Sequence, residues 1–315
     1  MNSKGKIAIV GSGLIGSCWA TLFASAGYHV CLYDINEASI AAARANVEEK
    51  MKMLEKQGLL RGKISAEEAL RLISSTTSLE EALEDAIYAQ ESAVETVDFK
   101  QKIFGEMDAL APLDCILASS TSTIPPSSFT EGLVGRERCL VSHPVNPPVY
   151  LRLVEVIPAP WTSQKAVETA MRILKDIGQE PIRLNKEVVG FAVNRLQFAL
   201  IAEAWRLVAD GVLSVEDVDK VMSEGLGPRY AFYGPFETIH LNAFGVADYS
   251  VRYSPGMRNV HADFGPAPSF NEADVVAKLA ERLDEALPLD KMADHQQERV
   301  RRLAELEKLK MTLKK

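Results

Sequence analysis

The feature that most constrains the fold of this chain is a glycine-rich turn close to its start. The hexapeptide GSGLIG at 11–16 follows the apolar run Ile7–Val10 and opens a helix-like segment at 17–26. A second apolar run, 30–33, ends at Asp34, eighteen residues after the last of the three glycines. The order of strand, glycine turn, helix, strand and acid is typical of a unit that binds a dinucleotide.

Each glycine of this turn has a separate physical task. Gly11 permits the tight turn, Gly13 lets the backbone approach a pyrophosphate, and Gly16 lets the helix pack closely on the strand. The N-terminus of the helix then faces the phosphates. Asp34 accepts hydrogen bonds from ribose hydroxyls and would repel a 2′-phosphate, so the pattern predicts NAD rather than NADP as cofactor.

Composition excludes several classes of function. The chain has 315 residues, of which 47% are hydrophobic, so it is long enough for two domains with sizeable cores. Its net charge of −8 argues against binding to nucleic acid or to an anionic membrane. No apolar run approaches the roughly 18 residues that cross a bilayer. The N-terminal region lacks the cleavage site of a signal peptide.

The cysteines indicate the compartment. The four are widely spaced in apolar surroundings, and no two form a CxxC pair. We therefore expect reduced core cysteines in a cytoplasmic protein, and no metal site. The four cysteines are Cys18, Cys31, Cys115 and Cys139.

The hydropathy pattern predicts two domains. Strand-like and helix-like segments alternate through residue 187, which predicts a Rossmann-type, doubly wound, mainly parallel sheet of the α/β class. One of the predicted helices covers 66–73, with Ser65 as its cap. Helical periodicity dominates 188–315, which predicts an all-helical C-terminal domain for substrate binding and dimerisation. Its charged tail, 305–315, is expected to be a solvated helix face.

Two polar loops follow predicted strands of the first domain. One is 118–123, which contains Ser122, and the other is 142–148, which contains His143 and three prolines. Ligands of open α/β sheets bind outside the carboxyl ends of the strands, so both loops are expected to face the cofactor. Glu155 lies within an apolar strand, where a carboxylate needs a partner.

This combination suits the oxidation of an alcohol. A base that titrates near neutral pH must take the hydroxyl proton as hydride leaves, and histidine is such a base. A carboxylate on the other ring nitrogen fixes the tautomer and stabilises the imidazolium. His143 and Glu155 are therefore interpreted as a catalytic pair.

Several segments make the chain resemble the 3-hydroxyacyl-CoA dehydrogenase superfamily over essentially its full length. Within that superfamily it is most similar to the branch that includes a lens crystallin. The segments are GSGLIG at 11–16, SSTS at 119–122, SHPVNPP at 142–148, LVEVIP at 153–158, GFAVNRLQ at 190–197 and MSEGLGPRYAFYGPFET at 222–238.

The resemblance implies roles for individual residues. His143 would be the general base and Glu155 its orienting partner, while Ser122 and Asn194 would hydrogen-bond the reacting oxygen. An asparagine such as Asn194 is otherwise more often a local polar contact. The positions that match cofactor contacts of the family are Leu14 and Ile15 over the pyrophosphate, and Glu95 and Lys100 after the predicted strand that ends at Val94.

Departures from the acyl-CoA members bear on the substrate. Those members carry His-Phe-Phe-Asn-Pro where this chain has HPVNP at 143–147, and Asn where it has Ser120. They also carry a lysine-rich helix for coenzyme A, whereas 37–57 holds four basic and four acidic residues. The resemblance thus implies a free hydroxy acid as substrate, with L-gulonate converted to 3-dehydro-L-gulonate as the expected reaction.

A small sugar acid needs a cation for its carboxylate. Arg229 is our candidate, with contact across a dimer interface as one option, and a structural salt bridge is the alternative interpretation of this residue. Asn146, in the proline-rich loop, is a further candidate contact to the substrate.

Three other functions stay open. Two of them are enzymatic: a short-chain 3-hydroxyacyl-CoA dehydrogenase and a carnitine-type dehydrogenase. A structural crystallin with vestigial NAD binding belongs to a different class of protein, and the complete set of predicted site residues argues against it. We also expect a homodimer, because the segment Phe191–Leu207 shows apolar faces that look exposed.

Overall fold

The glycine turn connects the first strand and the first helix of an eight-stranded sheet. The structure, a computed structural model, describes residues 4–313. The strands are β1 (Lys6–Val10), β2 (His29–Tyr33), β3 (Ile73–Thr76), β4 (Ala86–Glu91), β5 (Ile116–Ser119), β6 (Cys139–Pro144), β7 (Leu153–Pro158) and β8 (Glu180–Arg183).

The sheet has the order β3-β2-β1-β4-β5-β6-β7-β8. Every neighbouring pair is parallel except β6 and β7, which are antiparallel. This topology, followed by a helical C-terminal half, confirms the predicted fold class. The carboxyl ends of the central parallel strands meet at one edge, where both polar loops begin.

Fourteen α-helices occur in the described residues. They are α1 (Leu14–Ser25), α2 (Glu37–Gln57), α3 (Ala66–Leu70), α4 (Leu79–Leu83), α5 (Val97–Leu110), α6 (Ser127–Thr130), α7 (Gln164–Asp176), α8 (Val193–Ala209), α9 (Val215–Lys220), α10 (Gly227–Tyr230), α11 (Pro235–Leu241), α12 (Val246–Asp263), α13 (Ala273–Ala286) and α14 (Met292–Leu313). A π-helix at Val221–Leu226 lies between α9 and α10.

Local chemistry sets the ends of these helices. Asn36 caps α2 by accepting from the amide of Ala38, and Gly58 ends the helix in the left-handed conformation at φ 70°. Ser65 and Glu68 form the predicted capping box of α3. The helix predicted over 66–73 is nevertheless too long, because it ends at Leu70 and the following residues pair with β2.

Apolar side chains cover both faces of the sheet. Alternate residues of β1 point to opposite sides, so Ile7 and Ile9 belong to one buried cluster and Ala8 and Val10 to the other. Burial on both sides is characteristic of a parallel sheet between helical layers. The sheet is therefore a rigid support for the loops at its edge.

The chain divides into two units. The first runs through Asn194 and includes Val300–Thr312, and the second comprises Arg195–Arg299. The expectation of a solvated tail is wrong for part of α14, because Ala304 and Glu307 are buried in the first unit and Glu307 pairs with Arg152. None of the helices between residues 4 and 313 is long and apolar enough to cross a membrane.

Candidate active site

The glycine turn has the geometry that close approach of a phosphate requires. Gly11 has φ of +102°, and a Cβ there would lie 2.8 Å from the carbonyl oxygen of Ser92. A Cβ on Gly16 would lie 2.0 Å from the carbonyl oxygen of Gly11, so a side chain at this position would separate α1 from the turn. Gly13 faces open space at the N-terminus of α1. The amides of this turn are thus accessible to an anion.

Asp34 fixes the turn from the end of β2. Its carboxylate accepts from the amide of Ser12 at 3.0 Å and from the Ser12 hydroxyl at 2.8 Å. A cleft of about 440 Å³ opens beside it, lined also by Gly13 and by Ser39 and Asn46 of α2. None of the lysines and arginines within residues 4–313 lines this cleft. The residues present therefore fit the adenosine and pyrophosphate of NAD and offer no partner for a 2′-phosphate.

A buried ion pair lies at the end of β4. The Lys100 ammonium lies 3.0 Å from Glu91 Oε2 and 3.1 Å from Glu95 Oε2, and its side chain is 1% exposed. Glu91 is fully buried and also accepts from the Ser119 hydroxyl at 2.6 Å. Sequence analysis missed Glu91. Its signal was a carboxylate at the end of an apolar strand, the same signal that identified Glu155.

Glu95 links this ion pair to the hydroxyl loop. One of its oxygens accepts from the Thr121 hydroxyl at 2.6 Å and from the amide of Ser122 at 2.9 Å. Burial opposes ionisation, but the hydrogen bond from Thr121 and the charge of Lys100 outweigh it and lower the pKa of Glu95. The Glu95 side chain is 44% exposed and so remains accessible to a cofactor. The Lys100 side chain is buried, and its ammonium pairs with Glu91 and Glu95.

His143 and Glu155 are opposite one another in the antiparallel pair β6 and β7. The imidazole Nδ1 lies 2.8 Å from Glu155 Oε2, and the two side chains are 8% and 0% exposed. The other ring nitrogen, Nε2, has no hydrogen-bond partner among residues 4–313. The pair therefore has one nitrogen held by a carboxylate and one nitrogen free to exchange a proton.

The start of α8 connects the hydroxyl loop at 118–123 with the His143–Glu155 pair. Asn194 donates from Nδ2 to the carbonyl oxygen of Ser122 at 2.7 Å. The amides of Val193 and Ala192, one and two residues earlier, donate to Glu155 Oε1. Three consecutive residues thus join the hydroxyl loop to the His143 pair. The second hydrogen of the Asn194 amide remains available to a substrate oxygen, and the Ser122 hydroxyl makes only a long hydrogen bond of 3.5 Å to Glu95 Oε1.

A buried polar network behind the loops was also missed from the sequence. Ser120 Oγ accepts from Trp19 Nε1 at 3.0 Å and from Gln90 Nε2 at 2.8 Å. Tyr88 Oη lies 2.9 Å from both Gln90 Oε1 and Ser142 Oγ. The network runs from α1 to the residue before His143. It explains how Ser120 is accommodated at the position of the family's asparagine.

The remaining predicted residues make none of the hydrogen bonds described above. Leu14 is 60% exposed at the start of α1, and Ile15 packs against the core beneath the turn. Asn146 is exposed in the loop after β6, before a cis peptide bond to Pro147. Arg229 lies in α10 of the second unit, and its guanidinium has no ion-pair partner in the described part of the chain.

Comparison with known proteins gives matches along most of the chain. The family model described as "3-hydroxyacyl-CoA dehydrogenase, NAD binding domain" matches residues 6–188. The model described as "3-hydroxyacyl-CoA dehydrogenase, C-terminal domain" matches residues 190–286. The NAD-binding match covers the glycine turn, both polar loops and the His143 pair.

Individual relatives support the same conclusion. Lambda-crystallin from Oryctolagus cuniculus is 48% identical, with 91% of this chain and 90% of the relative covered. L-carnitine dehydrogenase from Pseudomonas aeruginosa is 39% identical, with 96% and 89% covered. The structure of 5-formyl-3-hydroxy-2-methylpyridine 4-carboxylic acid 5-dehydrogenase, an NAD+ dependent dismutase, superposes with a TM-score of 0.82 at 26% identity, covering 96% and 97%. These matches confirm the resemblance inferred from the sequence.

Proposed function

The chain belongs to the 3-hydroxyacyl-CoA dehydrogenase family, and from that premise we propose that it oxidises the 3-hydroxyl of a small free hydroxy acid, with L-gulonate converted to 3-dehydro-L-gulonate. The coarser activity, that of an NAD-dependent oxidoreductase of this family's type, follows from the family and its NAD-binding domain. The substrate and the roles of individual residues are our proposal.

The observation that carries the chemistry is the buried pair of His143 and Glu155. A histidine with Nδ1 on a carboxylate at 2.8 Å presents its Nε2 as a general base. Bound NAD supplies the hydride acceptor. His143 Nε2 takes the proton of the substrate hydroxyl as the C3 hydrogen leaves with its electron pair, so that a carbonyl forms at C3.

Other groups hold the reacting oxygen and the loop around it. The Ser122 hydroxyl and the free hydrogen of the Asn194 amide donate to the substrate oxygen, which keeps it within reach of His143. Glu95 holds the backbone of Ser122 and so sets the position of that hydroxyl. Glu155 stabilises the imidazolium that forms when His143 is protonated.

A free acid is favoured over a coenzyme A ester by the cations of α2. Arg44 donates to the carbonyl oxygen of Ile73, and Lys52 pairs with Glu48 within the helix. Lys50 donates to Asn46. Three of the four cations of this helix are therefore engaged locally, and a helix with balanced charge attracts the phosphates of coenzyme A poorly.

Arg229 is our proposed partner of the substrate carboxylate. It is exposed, and no carboxylate within residues 4–313 lies at ion-pair distance, so the salt-bridge alternative finds no support. Replacement by glutamine should raise KM for the hydroxy acid at least tenfold while the Kd for NADH stays constant. The matched control is Arg252→Gln, which removes an exposed arginine of the same unit that already pairs with Asp248. Equal KM values for the two variants would contradict this role.

A panel of substrates tests the proposal directly. We expect NADH formation with L-gulonate, and little or none with 3-hydroxybutyrate, 3-hydroxybutyryl-CoA or L-carnitine. His143→Gln should retain the NADH affinity of the wild type and lose turnover. Turnover of the coenzyme A ester alone would overturn the choice of substrate. NAD binding without turnover of any compound would favour a structural role of the crystallin kind.

Carnitine is the second candidate substrate. It is favoured by the 39% identity to a protein named L-carnitine dehydrogenase over 96% of this chain. Its quaternary ammonium group needs aromatic or acidic partners, but its carboxylate can pair with an arginine just as that of L-gulonate can, so Arg229→Gln does not separate the two substrates. Turnover of L-carnitine without turnover of L-gulonate would select this alternative.

We propose a homodimer that forms through exposed apolar side chains of α8. Leu196 and Leu200, four positions apart on one face of the helix, are 69% and 40% exposed, whereas Phe191, which the sequence interpretation included in this surface, is fully buried. The double variant Leu196→Glu/Leu200→Glu should sediment as a monomer, and Val134, 98% exposed in the first unit, provides the control Val134→Glu. A dimer that persists in the double variant would exclude this surface. We also propose a cytoplasmic location, which four buried free cysteines support.

A further inference from the structure

The chain enters α8 through a turn of left-handed residues. Gly190 has φ of 75° and Phe191 has φ of 51°. The left-handed region is unfavourable for a residue with a bulky side chain, so Phe191 is held there by its surroundings. Its side chain is fully buried, and its ring centroid lies 5.7 Å from that of His143.

This turn directs two backbone amides at the Glu155 carboxylate. Ala192 and Val193 donate to Glu155 Oε1 at 2.8 Å and 3.1 Å, while Oε2 faces His143. The first amides of a helix have no partner within the helix, and the helix N-terminus carries partial positive charge. Both oxygens of a fully buried carboxylate are thereby engaged, one by the imidazole and one by α8.

We infer that Phe191 and the backbone amides of Ala192 and Val193, at the entry to α8, are positioning elements of the His143–Glu155 pair. A carboxylate held only by the imidazole is free to rotate about its terminal torsion. The two amides fix its plane, and the Phe191 ring lies against the imidazole that this carboxylate orients. The inference rests on the proposed function, because it assumes that His143 acts as the base.

Val193→Pro tests the amides without touching a side chain of the pair. Proline is well tolerated at the first position of a helix, where the missing N–H had no helical partner. The substitution removes one donor to Glu155 Oε1, and kcat should fall about tenfold with KM for NAD unchanged. The matched control is Val215→Pro, the same change at the first residue of α9, which lies in the second unit.

A double-variant cycle separates positioning from general stability. Phe191→Leu should lower kcat about tenfold in the wild type, but it should have no further effect once Glu155→Ala has removed the carboxylate. The control Phe129→Leu makes the same change in the same buried cluster, where Phe129 contacts Phe104. It should leave kcat within about twofold of its parent in both backgrounds.

Three outcomes decide the matter. If His143→Gln retains turnover, the proposed function fails and the inference fails with it. If His143→Gln is inactive but Val193→Pro and Val215→Pro have equal kcat, only the positioning role is overturned. If Val193→Pro does not fold, as judged by its Tm, the Phe191 cycle decides, and additive effects of Phe191→Leu and Glu155→Ala would overturn the role.

Discussion

At the scale of single residues, Asp34 serves both the fold and the cofactor. Its carboxylate holds the amide and the hydroxyl of Ser12 and also accepts from the amide of Asn36 at 3.2 Å. These bonds set the shape of the glycine turn before any ligand arrives. The same charge lines the cleft that fits the adenosine ribose. Selectivity for NAD is therefore connected to the geometry of the phosphate-binding turn.

Asp34→Asn should weaken NAD binding about tenfold. Hydrogen bonds that a charged carboxylate accepts are worth roughly 1.5–3 kcal/mol, and the asparagine side chain is uncharged. The ratio of NADPH to NADH affinity should rise at the same time, because repulsion of the 2′-phosphate disappears. Kd values from NADH and NADPH fluorescence provide the measurement. Glu37→Gln, in the first turn of α2, is the control. A constant affinity ratio would show that Asp34 does not select the cofactor.

The buried pair of Glu91 and Lys100 should contribute more to the free energy of unfolding than an exposed ion pair does. Glu91→Gln leaves a buried ammonium with only Glu95, so the free energy of unfolding should fall by about 3 kcal/mol. Glu67→Gln breaks an exposed pair with Arg71 and should cost less than about 0.5 kcal/mol. Urea unfolding measures both. A Glu91→Gln loss no larger than that of Glu67→Gln would refute the structural importance of the pair.

Contacts between side chains could be predicted from the sequence only in part. The partnership of His143 and Glu155 was predictable, because each needs a partner and they lie in neighbouring strands; its catalytic role remains a prediction. Glu91, Ser119 and Lys100 meet through the register of β4 with β5 and the packing of α5. The left-handed conformation of Phe191 has no local signal at all, since it depends on what surrounds the turn.

At the scale of elements, the strongly patterned segments were predictable and the short ones were not. The predicted bounds of α2 match the structure because a capping asparagine and a terminal glycine mark its ends. Strand β3 escaped prediction, since its four residues are stabilised by pairing with β2 rather than by their own pattern. Helices such as α12 carry Pro255 and much exposed surface, which obscures the usual periodicity.

The contact between α1 and the glycine turn gives a paired prediction. Gly16→Ala should lower Tm and abolish NADH binding, because its Cβ would overlap the carbonyl oxygen of Gly11. Gly13→Ala should leave Tm unchanged and still weaken NADH binding, since its Cβ meets only the space that the cofactor needs. Thermal unfolding and NADH titration distinguish the two effects. Equal Tm values for both variants would contradict this division.

At the scale of the whole molecule, buried acids set the alkaline limit of stability. Burial raises the pKa of Cys115 and of Cys139 to about 12, from an ordinary value of 9.0. A raised pKa means that the folded protein binds more protons than the unfolded chain above pH 9. Stability from these thiols is therefore complete below about pH 9 and is lost as pH rises towards 12.

The free energy of unfolding should accordingly fall between pH 9 and pH 12, by an amount on the order of 4 kcal/mol for each thiol, because each unit by which a pKa is raised is worth about 1.4 kcal/mol. Urea unfolding at a series of pH values measures the slope. Cys139→Ala should reduce this slope, whereas Cys31→Ala provides a buried cysteine outside the pair as control. A slope that Cys139→Ala does not change would assign the alkaline transition to other groups.

The return of α14 to the first unit has a consequence for biosynthesis. Arg152 and its partner Glu307 are 155 positions apart, and the whole of Arg195–Arg299 is translated between them. The first unit is therefore the first part to leave the ribosome and the last to be completed. Until 300–312 emerges, the apolar cluster of this unit lacks Ala304, and Arg152 lacks its partner Glu307. The first unit reaches its full set of core contacts only when translation of the second unit has ended.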